Sequence, residues 1–240
     1  MITEYVRLEV RRTLRDTGFV IFGIGMPVLM YLLFTNLGAN EAEWRTASMV
    51  GMAAYGALGA ALSVGTGVAE DKSLGWLRQL RVTPMTPRQV VTGRALTGSV
   101  IVLPAIGAVL LAGALVNGVR MEAAWQWGAV AVALWLGALP FTLLGMGNGY
   151  RLTAQTTGVV NVGCNLGLAV VGGLWFPVEL FPDWLRTLSS YTPTNRFSEL
   201  GRAMTEGTAP GAAALAVLAV WTALFGTYAA VSYRRSAKTV

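Results

Sequence analysis

Apolar stretches long enough to cross a bilayer alternate along this chain with short charged segments. Six charge-free runs exceed the roughly 20 residues that a helix needs to span about 30 Å of hydrocarbon. They extend from Thr17 up to Glu41, Thr46 to Ala69, Ala95 to Val119, Ala123 to Tyr150, Leu152 to Val178, and Gly207 to Tyr233. The pattern predicts an all-α integral membrane protein with spans near residues 18–37, 47–69, 95–117, 124–149, 153–176 and 209–232. Every charged side chain lies outside these runs, and so many spans leave no room for a separate soluble domain, so residues 1–240 read as one transmembrane domain. The first run is too long for a signal peptide and no clear small-residue cleavage site follows it, so it reads as a retained helix.

Six spans put both ends on one side, and the basic residues choose the side. Arg7, Arg11, Arg12, Arg15, Lys72, Arg78, Arg81, Arg88, Arg94, Arg151, Arg234, Arg235 and Lys238 fall on the face that carries the termini. Only Arg45, Arg120, Arg186, Arg196 and Arg202 fall on the other. Cytoplasmic segments retain Lys and Arg, so both termini are expected in the cytoplasm. With the acids included, the inner segments carry a strong positive excess and the outer ones a slight negative one. A net charge of +6 and a pI near 9.9 therefore report topology and not nucleic-acid binding. Only 12% of residues are charged, none is histidine and Cys164 is the single cysteine. That composition excludes imidazole chemistry, intrachain disulfides and cysteine-cluster metal sites.

Three segments are patterned beyond simple connection. Residues 1–16 place Ile2, Tyr5, Val6, Val10 and Leu14 on one helical half and Glu4, Arg7, Arg11 and Arg15 on the other. The pattern suits an amphipathic helix lying under the headgroups, with a solvated basic tail as the alternative. Residues 70–94 form the main cytoplasmic loop. There Leu74, Leu77 and Leu80 recur every three residues with Trp76 beside them and Arg78 and Arg81 turned elsewhere. A short amphipathic helix is expected, docked on a cytoplasmic protein or lying on anionic lipid. Pro84 and Pro87 break it, and Thr86-Pro87-Arg88-Gln89 supplies a cap for the next helix. On the external side, residues 177–207 carry an apolar stripe of Phe181, Trp184, Leu185 and Leu188, with Pro182 placed to start its helix. This reads as a re-entrant or interfacial hairpin with Trp175 and Trp184 at headgroup level.

Catalytic signatures are missing: there is no G-x-x-x-x-G-K-[ST] phosphate loop, no G-x-S-x-G elbow and no acidic metal cluster. No ionisable group occupies mid-span, where proton- and sodium-driven carriers usually keep one. The spans carry neutral polarity instead. In the fifth, Thr157, Asn161 and Asn165 share one face at four-residue spacing, with Gln155 and Thr156 near its start and a Gly163-x-x-x-Gly167 motif alongside. Buried amides are costly without partners, so this face either glues helices together or lines a path for an amphiphile. The Gly145-Met146-Gly147-Asn148-Gly149 run suggests a flexible or bent inner end to the fourth span, and Pro27, Pro104 and Pro140 suggest kinks.

In this order the elements resemble the permease subunit of a type-2 ATP-binding-cassette exporter, in its drug- and antibiotic-resistance-like branch. Glu70-Asp71-Lys72-Ser73-Leu74-Gly75-Trp76-Leu77-Arg78-Gln79-Leu80-Arg81-Val82-Thr83-Pro84 is similar to the family's segment between the second and third spans. Leu174-Trp175-Phe176-Pro177 through Leu200 is similar to its external hairpin. The resemblance implies a coupling helix in which Glu70, Asp71, Leu74, Trp76, Leu77, Arg78, Leu80 and Arg81 meet a separate cytoplasmic ATPase. ATP and magnesium would be bound there, with no cofactor or metal on this chain. It also implies a second permease copy, identical or a sister chain, with the substrate path between the second and fifth spans of each. Thr157, Asn161, Asn165, Trp175 and Phe176 are the candidate path residues. The expected function is non-enzymatic export of an amphiphilic small molecule or lipid-linked substrate across the cytoplasmic membrane. The alternative is a membrane sensor or scaffold that moves nothing.

Overall fold

The computed structural model describes residues 11, 15–37, 42–75 and 87–236. Among these the chain is helical and contains no strand. Six segments are long and apolar enough to cross a membrane: Phe19–Asn36, Ala42–Ser73, Arg94–Leu115, Trp125–Arg151, Ala154–Val171 and Ala212–Ser236. Most of the expected interfacial helix at 1–16 lies outside the described residues, as does the stretch from Trp76 to Thr86.

The first span changes pitch. Phe19–Gly25 is a π-helix, with the Met26 N–H reaching back five residues to the Ile21 carbonyl, and α1 (Met26–Leu37) continues it. Pro27 donates no N–H, and its ring would crowd the carbonyl four residues earlier in a regular helix. The wider turns upstream remove that conflict.

Helix α2 (Ala42–Ser73) occupies the centre. It packs on α1, α3 (Pro87–Leu115), α5 (Leu139–Arg151) and α6 (Ala154–Val171). Its most apolar stretch is 78% buried, against 17% for α6 and for α9 (Ala212–Ser236). The sequence explains the position. Hydrocarbon is as apolar as leucine, so helices associate in a bilayer through close van der Waals contact, and small side chains permit it. Ala53, Ala54, Ala57, Ala60 and Ala61 are all fully buried along α2.

The closest approach is the crossing of α2 and α5. A Cβ on Gly65 would collide with the Gly145 carbonyl, and one on Gly149 with the Gly65 carbonyl. The expectation of a flexible or bent end at Gly145–Gly149 is therefore corrected: α5 runs unbroken from Leu139 to Arg151. Its glycines are packing surface, with Gly145 and Gly149 against α2 and Gly147 under the Tyr228 ring of α9. The fourth span is interrupted elsewhere, at Ala138, between α4 (Trp125–Gly137) and α5, with Pro140 in the first turn beyond. Pro104 sits inside α3 without ending it.

After α6 the chain makes a short 3-10 turn (Val178–Leu180), then α7 (Asp183–Ser190) and α8 (Pro193–Thr205). Pro182 immediately precedes α7, as its sequence suggested. The two short helices differ in environment. Of the expected stripe, Trp184 and Leu188 are exposed and Phe181 and Leu185 partly buried, whereas α8 buries Thr194, Asn195, Phe197, Ser198 and Leu200 against α4, α2 and α6. Phe197 stacks obliquely on Phe141 with ring centres 5.3 Å apart. Trp221 of α9 donates its indole N–H to the Tyr191 carbonyl at 2.9 Å, tying the hairpin to the last span.

Candidate functional site

The candidate residues are distributed along α2, from the end that carries Lys72 to the end near Arg120. At the Lys72 end, α2 closes with Glu70, Asp71, Lys72 and Ser73, and Gly75 takes the left-handed conformation (φ +75°) that ends the helix. Leu74 is 77% exposed, while Asp71 forms an ion pair with Arg94 of α3 at 2.9 Å. Lys72 donates to the Tyr150 carbonyl at 3.0 Å and to the Leu152 carbonyl at 2.6 Å, where α5 gives way to α6. Of the expected coupling residues, Glu70, Asp71 and Leu74 are thus described. Trp76, Leu77, Arg78, Leu80 and Arg81 lie outside the described residues.

Further along, the amides of the fifth span meet α2 directly. Asn161 donates through Nδ2 to the Leu62 carbonyl at 2.8 Å, and its Oδ1 accepts from Asn148 Nδ2 at 2.8 Å. Tyr228 donates its hydroxyl to Asn148 Oδ1 at 3.0 Å. One chain of hydrogen bonds therefore joins α9, α5, α6 and α2, which satisfies amides that would be expensive alone in a bilayer. Thr157 turns inward to its own helix, donating to the Thr153 carbonyl at 2.7 Å. Asn165 faces Gly59, where a Cβ would stand 3.2 Å from Nδ2. Its Oδ1 is buried and has no hydrogen-bond partner among the described residues.

Trp175 and Phe176 belong to a higher level. Trp175 meets Tyr55 of α2 edge-on with centres 5.4 Å apart, and Phe176 meets Phe34 of α1 in the same manner at 5.5 Å. Both line a cavity of about 1030 Å³ at the Arg120 end, together with Trp44, Glu43, Glu122, Glu199 and Arg202. The five path residues thus do not form one cluster. They follow α2 in steps, with Asn161 at Leu62, Asn165 at Gly59 and Trp175 at Tyr55.

Two features went unread in the sequence. Lys72 looked like one more inner positive charge, and only the long-range hydrogen bonds reveal its attachment. Ser63 and Thr66 of α2 are only partly buried, as are Gly59 and Gly67, on a helix whose neighbouring positions are closed. Gly59, Ser63 and Thr66 follow one another at four- and then three-residue spacing, which was the available signal. The face of α6 opposite its contacts is open, with Val159 and Val162 exposed and free space beyond Gly163 and Gly167.

Residues 44–231, from the first turn of α2 to the last turns of α9, match the family described as ABC-2 family transporter protein. The chain is 25% identical over 222 residues to the candidate transport permease YvfS of Bacillus subtilis (strain 168), which covers 90% of each. A match over most of the chain, together with six membrane-crossing helices, places the protein in the cell membrane as a multi-pass chain. The chain belongs to the ABC-2 transporter family, as a membrane permease subunit that is not itself a catalytic enzyme.

Proposed function

We propose that this chain pairs with a second permease copy and, driven by ATP hydrolysed on a separate cytoplasmic ABC ATPase, exports an amphiphilic small molecule or lipid-linked substrate. Family membership implies the ATPase and the membrane, and the remaining particulars are this reading's own. The observation that carries it is the character of the helices. Membrane pumps that supply their own ion coupling need titratable groups at mid-membrane. Here the polar side chains of α6 that meet α2 within the span are neutral amides, Asn161 at Leu62 and Asn165 at Gly59. Neutral donors and acceptors among apolar walls suit a substrate with a polar head and an apolar body.

The exposed side of α6 is the surface for the second copy. Val159, Val162, Leu166 and Val170 stand around the open Gly163–Gly167 face, and small residues at that spacing allow two helices to approach closely. The end of α2 at Glu70 and Leu74 leads into the segment that meets the ATPase, with Trp76, Leu77, Arg78, Leu80 and Arg81 as further contacts. On this reading the termini are cytoplasmic, α7 and α8 form the external hairpin, and Trp175 and Phe176 stand near the exit.

The test is ATP-dependent export by the pair. Cells making this chain and its ATPase should retain less of an amphiphilic fluorescent dye than cells whose ATPase lacks its phosphate-loop lysine. Equal retention across a panel of cationic, neutral and lipid-like dyes overturns the export of amphiphiles. Failure of any ATPase to co-purify with the chain overturns the transport assignment itself.

A further inference from the structure

The two-residue elbow between α5 and α6 is held from outside. Helix α5 ends at Arg151, Leu152 is extended (φ −105°, ψ 170°), and Thr153 caps α6 by accepting the Thr156 N–H at 3.3 Å. Carbonyls at a helix C-terminus lack intrahelical donors and carry the negative end of the helix dipole. The Lys72 ammonium satisfies two oxygens there, that of Tyr150 at 3.0 Å and that of Leu152 at 2.6 Å. A charge-assisted bond to a backbone oxygen is about twice as strong as a neutral one. Lys72 is also the penultimate residue of α2, two positions before Leu74.

A second tie lies one long stride away. Asn161 Nδ2 holds the Leu62 carbonyl at 2.8 Å. Leu62 and Lys72 are separated by roughly 15 Å along α2, and Asn161 lies roughly 10 Å into α6 from Ala154, with the extended Leu152 and its neighbour Thr153 making up the rest of the stride. Two ties at matched spacing make α2 and α6 one frame. On the opposite flank, Asp71 near the end of α2 binds Arg94, the eighth residue of α3, so the two helices that border residues 74–86 are joined. A displacement of the end of α2 therefore acts on the elbow and on α3 together. Coupling of this kind travels through contiguous contacts with defined geometry.

We infer that Lys72 is a positioning residue that makes α6 follow the 74–86 segment, by fastening the end of α2 to the α5–α6 elbow. The inference rests on the reading that this segment meets the ATPase. It assigns Lys72 the transmission of that contact and not the contact itself.

The test uses the chain with its ATPase in lipid nanodiscs, with amide hydrogen exchange across residues 150–158 measured with and without a non-hydrolysable ATP analogue. The unsubstituted complex should change exchange at the elbow by about fivefold on nucleotide binding, since local opening follows the contacts that hold a segment. Lys72→Met removes the donor but keeps most of the stem, and should cut that change below about twofold with the ATPase still bound. Lys72→Arg restores two donors and should recover most of the response. Where Lys72→Met does not assemble, Lys72→Gln keeps a neutral donor too short to reach the elbow and should behave alike. A Lys72→Met or Lys72→Gln complex that melts normally and keeps the full nucleotide response overturns the inference while the transport reading stands. An unsubstituted complex with no nucleotide response at the elbow overturns it too. A chain that recruits no ATPase overturns the transport reading, and the inference with it.

Discussion

Asn161 Nδ2 and the Leu62 carbonyl are 2.8 Å apart across 99 residues of sequence, and this bond closes the seam between α2 and α6 within one chain. A substrate passing along that seam inside a single chain would have to break it. The open side of α6 carries no such lock. Asn161→Leu removes the donor to Leu62 and leaves Asn148 Nδ2 without its acceptor. The expected loss is about 1–3 kcal/mol of stability, given the modest value of hydrogen bonds between membrane helices and the added cost of a stranded amide. Thermal unfolding in nanodiscs reads it, and an unchanged midpoint would show that the seam is held by packing alone.

The α2–α5 crossing tolerates no side chain. Gly65→Val and Gly145→Val place methyl groups where backbone oxygens already stand, and each should cost about 1–3 kcal/mol or prevent folding. Gly163→Val, on the open face of α6, is the control for helix propensity and should leave the unfolding midpoint of the isolated chain within a few degrees. Equal loss from all three variants would mean that the crossing glycines act through propensity and not contact.

The number of spans was legible because a membrane forces it. Six runs without charge have few alternatives, and the boundaries shift where a helix outruns the hydrocarbon, as α2 does by keeping Glu43, Glu70, Asp71 and Lys72 in its end turns, or stops early, as α6 does at Val171 where 176 was expected. The amide face of α6 was legible as a face, yet its meaning was not. Thr157, Asn161 and Asn165 share a periodicity, but a partner 99 residues away decides that Asn161 is tied and Asn165 is not. The glycine run at 145–149 shows the same limit in reverse. Glycine is read locally as freedom, whereas here the neighbouring α2 backbone makes it a requirement of contact. Lys72 was indistinguishable from its basic neighbours because hydrogen bonds to distant carbonyls leave no trace in composition.

Gly163 and Gly167 provide a test of pairing that is separate from folding. Leucine at both positions fills the open groove of α6 and should leave the single chain folded while lowering its self-association at least about tenfold, the scale of 1.4 kcal/mol. Single-molecule photobleaching in liposomes at dilute protein measures it. Undiminished pairing would move the contact to another exposed helix, such as the first span or α9.

Leu74, Leu77 and Leu80 are expected to share the surface that meets the ATPase. Leu77→Asp or Leu80→Asp should abolish co-purification, because a carboxylate buried in an apolar groove without a partner costs several kcal/mol. Leu74→Asp should act more weakly, since Leu74 stands at the edge of the segment and is 77% exposed before any partner arrives. An intact complex with Leu77→Asp and Leu80→Asp combined would remove this loop from the interface.

Asn165 should respond with the opposite sign to Asn161. Its Oδ1 is buried without a partner among the described residues, and a stranded acceptor of this kind costs about 1–3 kcal/mol. Replacement by leucine removes the penalty at nearly equal volume, so Asn165→Leu should raise the unfolding midpoint by a few degrees. Strain of that kind persists where a group is needed for something other than stability. If Asn165 receives the polar head of a substrate, the same variant should slow dye export several-fold while ATPase binding is unchanged. Asn161→Leu should instead lower stability and export together, since it loosens the frame that carries α6. Measuring both quantities on both variants separates the roles. An Asn165→Leu chain that is more stable and exports at the unsubstituted rate is not lining a path at that position.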